Sequence, residues 1–523
     1  MTRAPRSRPV GAPGDAWASG WKGMGLAALA GAAHAGSFAP TEFWWLQILA
    51  TGALVALLAD ASPRAAAARG WAFGFGWLGA GFWWLYISLH FYGYLPAWLS
   101  ALAVAVLAAL MALYYALAGW AWAKLRRNRP LVDAVLFSAV WMLAELARGW
   151  VFGGFPWIAG GYAHTSGPLA SWAPWIGVYG IGGLAAGISA AAALVLLKLR
   201  GPQVRPPIVT LIPLALPLVL LAAGAALPQA FTRSTGMLTV SLLQPNVAQD
   251  EKFEPAHVEA ALAWHVDKLA AAPGQLVVTP ESSLPVPFSD IPRDTWLAYE
   301  RPFNKPGRGA LVGVFTGDDQ RGWTNTLVGL DATHHMTNGT NFHYGKRHLL
   351  PFGEFVPPGF HWFVDMMKIP IGDQAPGVDT AAFEVAGQRV RALICYEDLF
   401  GEDFASSVAG PRAATVLASA TNLAWFGKRM IQDQHLQFSR MRSLEFQRGQ
   451  VRATNTGATA VIDWQGHVTA RLAPEVEAEL DSSVEGRIGT TPYALWVAKF
   501  RLWPLWLMAL AQLLFVLVVP RRA

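Results

Sequence analysis

The sequence predicts a multi-helix transmembrane bundle of about eight spans that carries one α/β layered domain between its seventh and eighth spans. Of its 523 residues 54% are hydrophobic and only 14% charged, too apolar a mixture for a soluble chain of this length. The apolar residues crowd into residues 1–230 and 500–523, whereas the stretch from about Gly236 to Tyr493 has ordinary soluble composition. Outside that stretch, Lys and Arg gather in short segments between apolar runs.

Apolar runs long enough, or nearly so, to cross about 30 Å of hydrocarbon occupy residues 23–38, 43–59, 71–89, 95–123, 131–148, 173–198, 207–227 and 502–519. The first two are short and rich in Gly and Ala, so one re-entrant hairpin is an alternative to two spans. A basic N-terminus ahead of small residues near Ala35 also has the look of a signal peptide, but further apolar runs follow at once.

Basic residues orient the bundle. Arg3, Arg6, Arg8 and Lys22 precede the first run, Arg64 and Arg69 separate the second and third, and Lys124, Arg126, Arg127 and Arg129 separate the fourth and fifth. Lys198, Arg200 and Arg205 separate the sixth and seventh, and Arg521 and Arg522 close the chain. With eight spans all of these share one side, which the positive-inside rule makes cytoplasmic. The loops around Pro40, Phe91 and Phe155 are nearly free of Lys and Arg. The large domain then faces outward, into the periplasm of a bacterium with two membranes.

The net charge of +6 and pI near 9.4 do not indicate a nucleic-acid reader, which gathers its cations on one face or segment. A single cysteine rules out an intramolecular disulfide and a thiol-rich metal site. Glu145 and Arg148 lie three apart at the outer end of the fifth run, where an ion in hydrocarbon costs about 2.5 to 3.5 kcal/mol. They are either a mutual pair capping the helix or, with the aromatic GWVFGGFPW (149–157) beside them, a lipid headgroup site.

From Gly236 the pattern changes to short β-rich runs closed by polar residues: MLTVSLLQPN, QLVVTPES, GALVGVF, NTLVGLD, RVRALICYED, AATVLASATN and GATAVID. Helical stretches fall around 255–272 and 430–448. Strands alternating with helices, with chemistry at strand ends, indicate an α/β layered fold. Glu281 ends VVTPES, Cys395 ends ALICYED, and Lys346 lies in FHYGKRHLLPFGEFVP.

A lone thiol is usually a small buried hydrophobe, and an isolated Glu or Lys is usually a solvated cap or surface charge. Cys395, however, sits where a buried strand gives way to Tyr396, Glu397 and Asp398. A thiol is mostly protonated at neutral pH and needs a base or a cationic neighbour to act as a nucleophile. Glu281 and Lys346 could supply both, if the fold brings the three together.

TPES, YGKRHLLPFGEFVP and ICYED, in that order, resemble the Glu, Lys and Cys motifs of the nitrilase superfamily. LLQPNVAQ (242–249), ARGWVFGGFPW (147–157), ATNLAWFG (420–427) and QHLQFSRMRSLEFQRGQVRATNTGATAVID (434–463) extend the resemblance, together with the spans, to the apolipoprotein N-acyltransferase family over nearly the whole chain.

The resemblance implies a nitrilase-like αββα sandwich over residues 236–493, carried by a bundle over 1–230 and a final helix over 500–523 with a cytoplasmic C-terminus. It implies Glu281 as general base, Lys346 as oxyanion stabiliser, Cys395 as nucleophile and Glu354 as a supporting acid. Tyr396 and Glu397 match the residues beside the nucleophile, and Trp425 and Phe426 match an aromatic loop near the acyl chain. Phe253 stands where the family often has Trp, without that residue's indole N–H.

The implied reaction has two steps and needs no metal or other cofactor. Cys395 takes the sn-1 acyl chain of a phospholipid such as phosphatidylethanolamine as a thioester. The α-amine of a diacylglyceryl-cysteine at the N-terminus of an apolipoprotein then takes it as an amide. The implied partners are those two substrates and the inner membrane, with the protein a monomer that binds no nucleic acid. A membrane-tethered amidase would use the same three residues but needs at most one anchor. A transporter or scaffold would show an internal repeat or paired intramembrane polar groups and has no use for the Glu, Lys and Cys set.

Overall fold

Helices form on all eight apolar runs, and the computed structural model describes them within residues 20–199, 212–252, 254–334, 342–359, 361–362, 373–378, 381–428 and 430–522. They are α1 (Gly20–Ala35), α2 (Trp44–Leu58), α3 (Pro63–Gly81), α4 (Ala97–Leu125), α5 (Pro130–Arg148), α6 (Ala173–Leu199) and α7 (Ile212–Ala226), with the last described below. The seventh predicted run begins before α7, on residues outside the described ones. Among the described residues three helical segments, Ala97–Leu125, Pro130–Arg148 and Ala170–Leu199, are long and apolar enough to cross a membrane by themselves.

The third helix starts eight residues ahead of its predicted run. Ser62 caps it by accepting the Ala65 N–H at 3.3 Å, and Pro63 fits the first turn because it has no N–H to leave unpaired. Arg69, expected in a loop, is therefore inside a helix and donates to the Leu57 carbonyl. Small residues let α1 and α3 touch: a Cβ on Gly76 would lie 2.1 Å from the Ala28 carbonyl oxygen. Trp77, Trp122, Trp141 and Tyr115 fill the space between the helices.

The α/β domain contains two six-stranded sheets. The first has the order β12-β1-β2-β3-β4-β5, from β1 (Thr232–Gln244), β2 (Leu276–Val278), β3 (Gly309–Asp318), β4 (Gly322–Asp331), β5 (Phe342–Gly345) and β12 (Ala478–Gly489). The second has the order β11-β10-β9-β8-β7-β6, from β6 (Phe383–Val385), β7 (Gln388–Ile394), β8 (Val416–Thr421), β9 (Gly449–Thr454), β10 (Ala460–Ile462) and β11 (Val468–Arg471). Alternation along each strand divides the side chains between two faces. Leu238, Val240 and Leu242 of β1 meet Val390, Ala392 and Ile394 of β7 in the core between the sheets.

Helices cover the outer faces. Leu262 and Leu269 of α8 (Pro255–Ala271) pack on the first sheet with Val277 and Val312. Leu436 of α9 (Met430–Phe446) packs on Ala460 and Ile462 of the second. The result is the αββα arrangement of a nitrilase-like domain. The helix α9 also meets the bundle: Phe438 and Met441 belong to the bundle's core, and Gln434 Oε1 accepts from the indoles of Trp84 and Trp157 at 3.1 and 2.7 Å.

The loops poor in basic residues lie against this domain. Ala39 N–H donates to Gln437, Glu42 pairs with Arg440 at 2.7 Å, and Tyr92 packs edge-on to Trp425. The basic segments meet one another at another part of the bundle. Here α11 (Trp503–Val518), bent 94° from α10 (Pro492–Phe500), ends against Arg127, whose guanidinium donates to the carbonyls of Val516 and Leu517 at 2.9 Å.

Candidate active site

Glu281 is set by a tight turn after β2. Thr279 Oγ1 accepts from Gly313 N–H at 2.9 Å and from Ser283 Oγ at 2.7 Å, and Ser282 takes a left-handed conformation, φ 41°. The turn passes so close to β3 that a Cβ at Gly313 would lie 2.1 Å from the Pro280 carbonyl oxygen, so a larger side chain there would displace Glu281. The carboxylate is buried and fully engaged. Its Oε1 accepts from Asn325 Nδ2 at 2.7 Å and Lys346 Nζ at 3.0 Å, and its Oε2 accepts from Asn422 N–H at 2.9 Å.

Lys346 follows β5, where its N–H donates to the Asn325 carbonyl at 2.8 Å. Its side chain is 1% exposed and Nζ lies between two carboxylates, 3.0 Å from Glu281 and 2.6 Å from Glu354. Burial alone would push this ammonium down, but Glu281 and Glu354 together hold it well above the usual lysine range. Glu354 Oε2 accepts the Leu350 N–H at 2.8 Å, which fixes the second carboxylate.

Cys395 stands one residue past β7 at φ 52°, a conformation that costs a non-glycine residue about 1 to 3 kcal/mol. It packs against both the inter-sheet core and the core of the bundle, and part of it is exposed. Burial pushes the thiol well above the usual range, the neighbouring Glu281 carboxylate adds to the rise, and the Lys346 ammonium pulls it back. At neutral pH it is a thiol beside an acceptor.

Three neighbours hold the strained turn. Glu397 Oε2 accepts the Ile394 N–H at 2.7 Å, while Oε1 accepts the Arg347 N–H at 2.8 Å and the Tyr344 hydroxyl lies 2.8 Å from both oxygens. One buried carboxylate thus ties the segment of Lys346 to that of Cys395. Tyr396 donates its hydroxyl to the Gly154 carbonyl at 2.8 Å, so it anchors the turn to the bundle loop. Asp398 accepts from Arg452 and Ser439 at 2.7 Å and from Ser419 at 3.0 Å.

Trp425 and Phe426 lie on a short turn beside the site. Phe426 packs edge-on to Trp84 at 5.1 Å, and Trp425 is partly exposed next to Tyr92. Phe253 lies outside the described residues. Arg148 is only 1% exposed, which favours its pairing with Glu145 over a headgroup site. It donates to the carbonyls of Phe155 and Trp157 at 2.8 and 2.9 Å and sits 3.6 Å from Glu145, which in turn accepts the Gly160 N–H. The pair pins the loop that holds Tyr396.

The sequence reading missed Asn325, Asn422, Asp398 and Arg452. The two asparagines do carry a signal, since each stands at or beside an end of a quoted β run, where a side chain can reach the site. Arg452 lies inside a strand and carries none. Chemically, a thiol beside an acceptor carboxylate with a buried cation close to both is an arrangement that can support acyl transfer.

The family model for the apolipoprotein N-acyltransferase N-terminal domain matches residues 30–191, and that for carbon-nitrogen hydrolase matches residues 239–488. An apolipoprotein N-acyltransferase of Ralstonia nicotianae is 45% identical over 480 residues, covering 90% of this chain and 88% of the relative. Its counterpart in Verminephrobacter eiseniae is 43% identical over 528 residues, covering 94% of each. One from Pseudomonas putida is 36% identical, covering 96% of this chain and 98% of the relative.

Proposed function

The chain belongs to the apolipoprotein N-acyltransferase family, and from that premise we propose that it carries out lipoprotein N-acylation by a two-step exchange through a thioester on Cys395. The donor is a phospholipid such as phosphatidylethanolamine, attacked at its sn-1 ester. The acceptor is the α-amine of a diacylglyceryl-modified N-terminal cysteine. The observation that carries the reading is the single buried ammonium of Lys346 shared by Glu281 and Glu354 beside the Cys395 thiol.

In the first step Glu281 takes the thiol proton as Sγ attacks the ester carbonyl carbon. Protonation cancels the charge of Glu281, so the field of Lys346 turns to the oxyanion that forms at the same moment. Collapse breaks the C–O bond, and Glu281 returns the proton to the departing lysophospholipid. In the second step the amine attacks the thioester, the C–S bond breaks, and Cys395 regains its proton. Glu354 keeps Lys346 in place throughout.

Both substrates are held in a bilayer by acyl chains, and a site between an α/β domain and an apolar bundle spares them full transfer into water. We read the eight helical runs as spans of the bacterial inner membrane, with residues 236–493 in the periplasm. The contacts of the Pro40 and Phe155 loops with the domain support this, as does the meeting of Arg127 with the end of α11. Trp425 and Phe426 line the approach of the acyl chain.

Purified protein incubated with phosphatidylethanolamine is expected to gain one hydroxylamine-sensitive acyl group on Cys395 by mass spectrometry. Absence of the adduct, or transfer to a diacylglyceryl peptide by Cys395→Ala, refutes the reading.

A further inference from the structure

On the side of Glu281 turned toward α8 lies a cavity of about 280 Å³, lined among others by Glu281, Lys252, His265 and, at its solvent-exposed rim, Glu251, His257 and Glu477. Lys252 is buried, and its Nζ lies 2.9 Å from the hydroxyl of Ser282, the residue after Glu281. The loop that carries it is laced to the site: Asn422, whose N–H donates to Glu281, also donates its side-chain amide to Gln249 at 2.8 Å. Polar groups line part of the cavity, which is roomy enough to hold water.

The proposed second step creates a demand that the first does not. An α-amine is largely an ammonium at pH 7. When it attacks the thioester, one of its three protons stays on the amide nitrogen and one ends on Sγ. The third must leave the site in every turnover. Acylation, by contrast, moves the thiol proton to the departing alcohol and releases none.

The geometry points to Lys252 and this cavity as the exit for that third proton. The inference rests on the thioester reading above. When Glu281 takes the proton from the substrate ammonium, Lys252 releases its own proton to water in the cavity and then accepts the one held by Glu281, so both groups return to their starting states. Burial lowers the Lys252 ammonium to about 8 and the Glu281 carboxylate supports it, so neutralising Glu281 removes that support and favours release. Among the other groups facing Lys252, burial holds His265 at about 4, so this imidazole does not compete for the proton at pH 7. Lys252 acts through Glu281 and touches no substrate.

The two half-reactions separate the relay from a structural role. Full-length protein in detergent is acylated with phosphatidylethanolamine, then mixed in a single turnover with a diacylglyceryl-cysteine peptide at pH 7 and pH 9. Lys252→Met is expected to acylate within a few-fold of the unsubstituted protein and to transfer the acyl group at least ten-fold more slowly at pH 7. At pH 9, where the amine is already neutral, the deficit should close. Lys252→Arg keeps the charge but cannot release a proton, so it should show the same pH-dependent deficit. Equal losses in both half-reactions at both pH values, or full transfer by Lys252→Met at pH 7, overturn the relay. Failure of the unsubstituted protein to form an acyl-enzyme overturns the underlying reading and the relay with it.

Discussion

Lys346→Met removes the ammonium from between two buried carboxylates while keeping most of the side chain's volume. At 3.0 Å from Glu281 and an effective dielectric of about 20, the lost attraction is on the order of 5 kcal/mol, with a similar term for Glu354 at 2.6 Å. Part of this is recovered when one carboxyl takes up a proton. The net destabilisation should then be near the roughly 3 to 5 kcal/mol typical of a broken buried pair. The rate suffers separately, because loss of an oxyanion donor costs about 10²- to 10³-fold. The double variant Lys346→Met/Glu354→Gln distinguishes the two effects: it removes one of the two carboxylates left without a cation and should regain much of the lost Tm without regaining rate. The assay is acyl-adduct formation under single-turnover conditions, alongside thermal unfolding in the same detergent. An acylation rate within ten-fold of the unsubstituted protein, or a double variant that recovers both Tm and rate, would reduce Lys346 to a structural ion pair.

Glu397→Gln should cost about 1 to 3 kcal/mol, because an amide sets N–H groups against donors that both carboxylate oxygens now accept; an unchanged unfolding midpoint would refute the staple between Tyr344, Arg347 and Ile394. Since the Cys395 thiol is held well above its usual range, its alkylation by iodoacetamide should keep rising past pH 9 without levelling. Glu281→Gln removes the negative neighbour that favours the protonated form, so at pH 8 alkylation should quicken while acyl-enzyme formation is lost; slower alkylation would contradict the reading that Glu281 holds the thiol up, and retained acylation its assignment as base. Arg148→Met leaves Glu145 buried without its cation and should lower the unfolding midpoint by an amount set by about 3 to 5 kcal/mol, with no selective rise in KM for phospholipid; such a rise without loss of stability would restore the headgroup role. Cys395→Ala contains no cysteine, so single cysteines placed at Asn128 and Tyr94 should be labelled from opposite membrane faces, and labelling from one face would overturn the span count.

Much of the architecture was legible because burial leaves a periodic trace. Continuous apolar runs marked the helices, and short apolar runs closed by polar residues marked β1, β2, β3, β4, β7, β8 and β10. No such run marked β5, β6, β9, β11 or β12. Helix starts depend on caps as well as hydropathy, which is why Ser62 and Pro63 moved α3 ahead of its apolar run.

By itself the sequence determined the division of this chain into apolar helical parts and a domain of soluble composition, and the three strand-end or segment positions of Glu281, Lys346 and Cys395, since hydrophobic pattern and motif order are local properties. Only the tertiary structure decided which groups these residues face. Asn325 meets Glu281 from the first half of β4, two strands from β2 in the same sheet, Asn422 meets it from just past the end of β8 in the other sheet, and Asp398 meets Arg452 because β7, β8 and β9 lie side by side in one sheet. Arg148 could be half of a helix-capping pair or a headgroup ligand until the loop at residues 153–157 folded over it, and Lys252 became notable only when the fold put it behind Glu281. Hydrogen bonds and burial depend on distances through space, and strand order, which sets those distances, leaves no periodic signal along the chain.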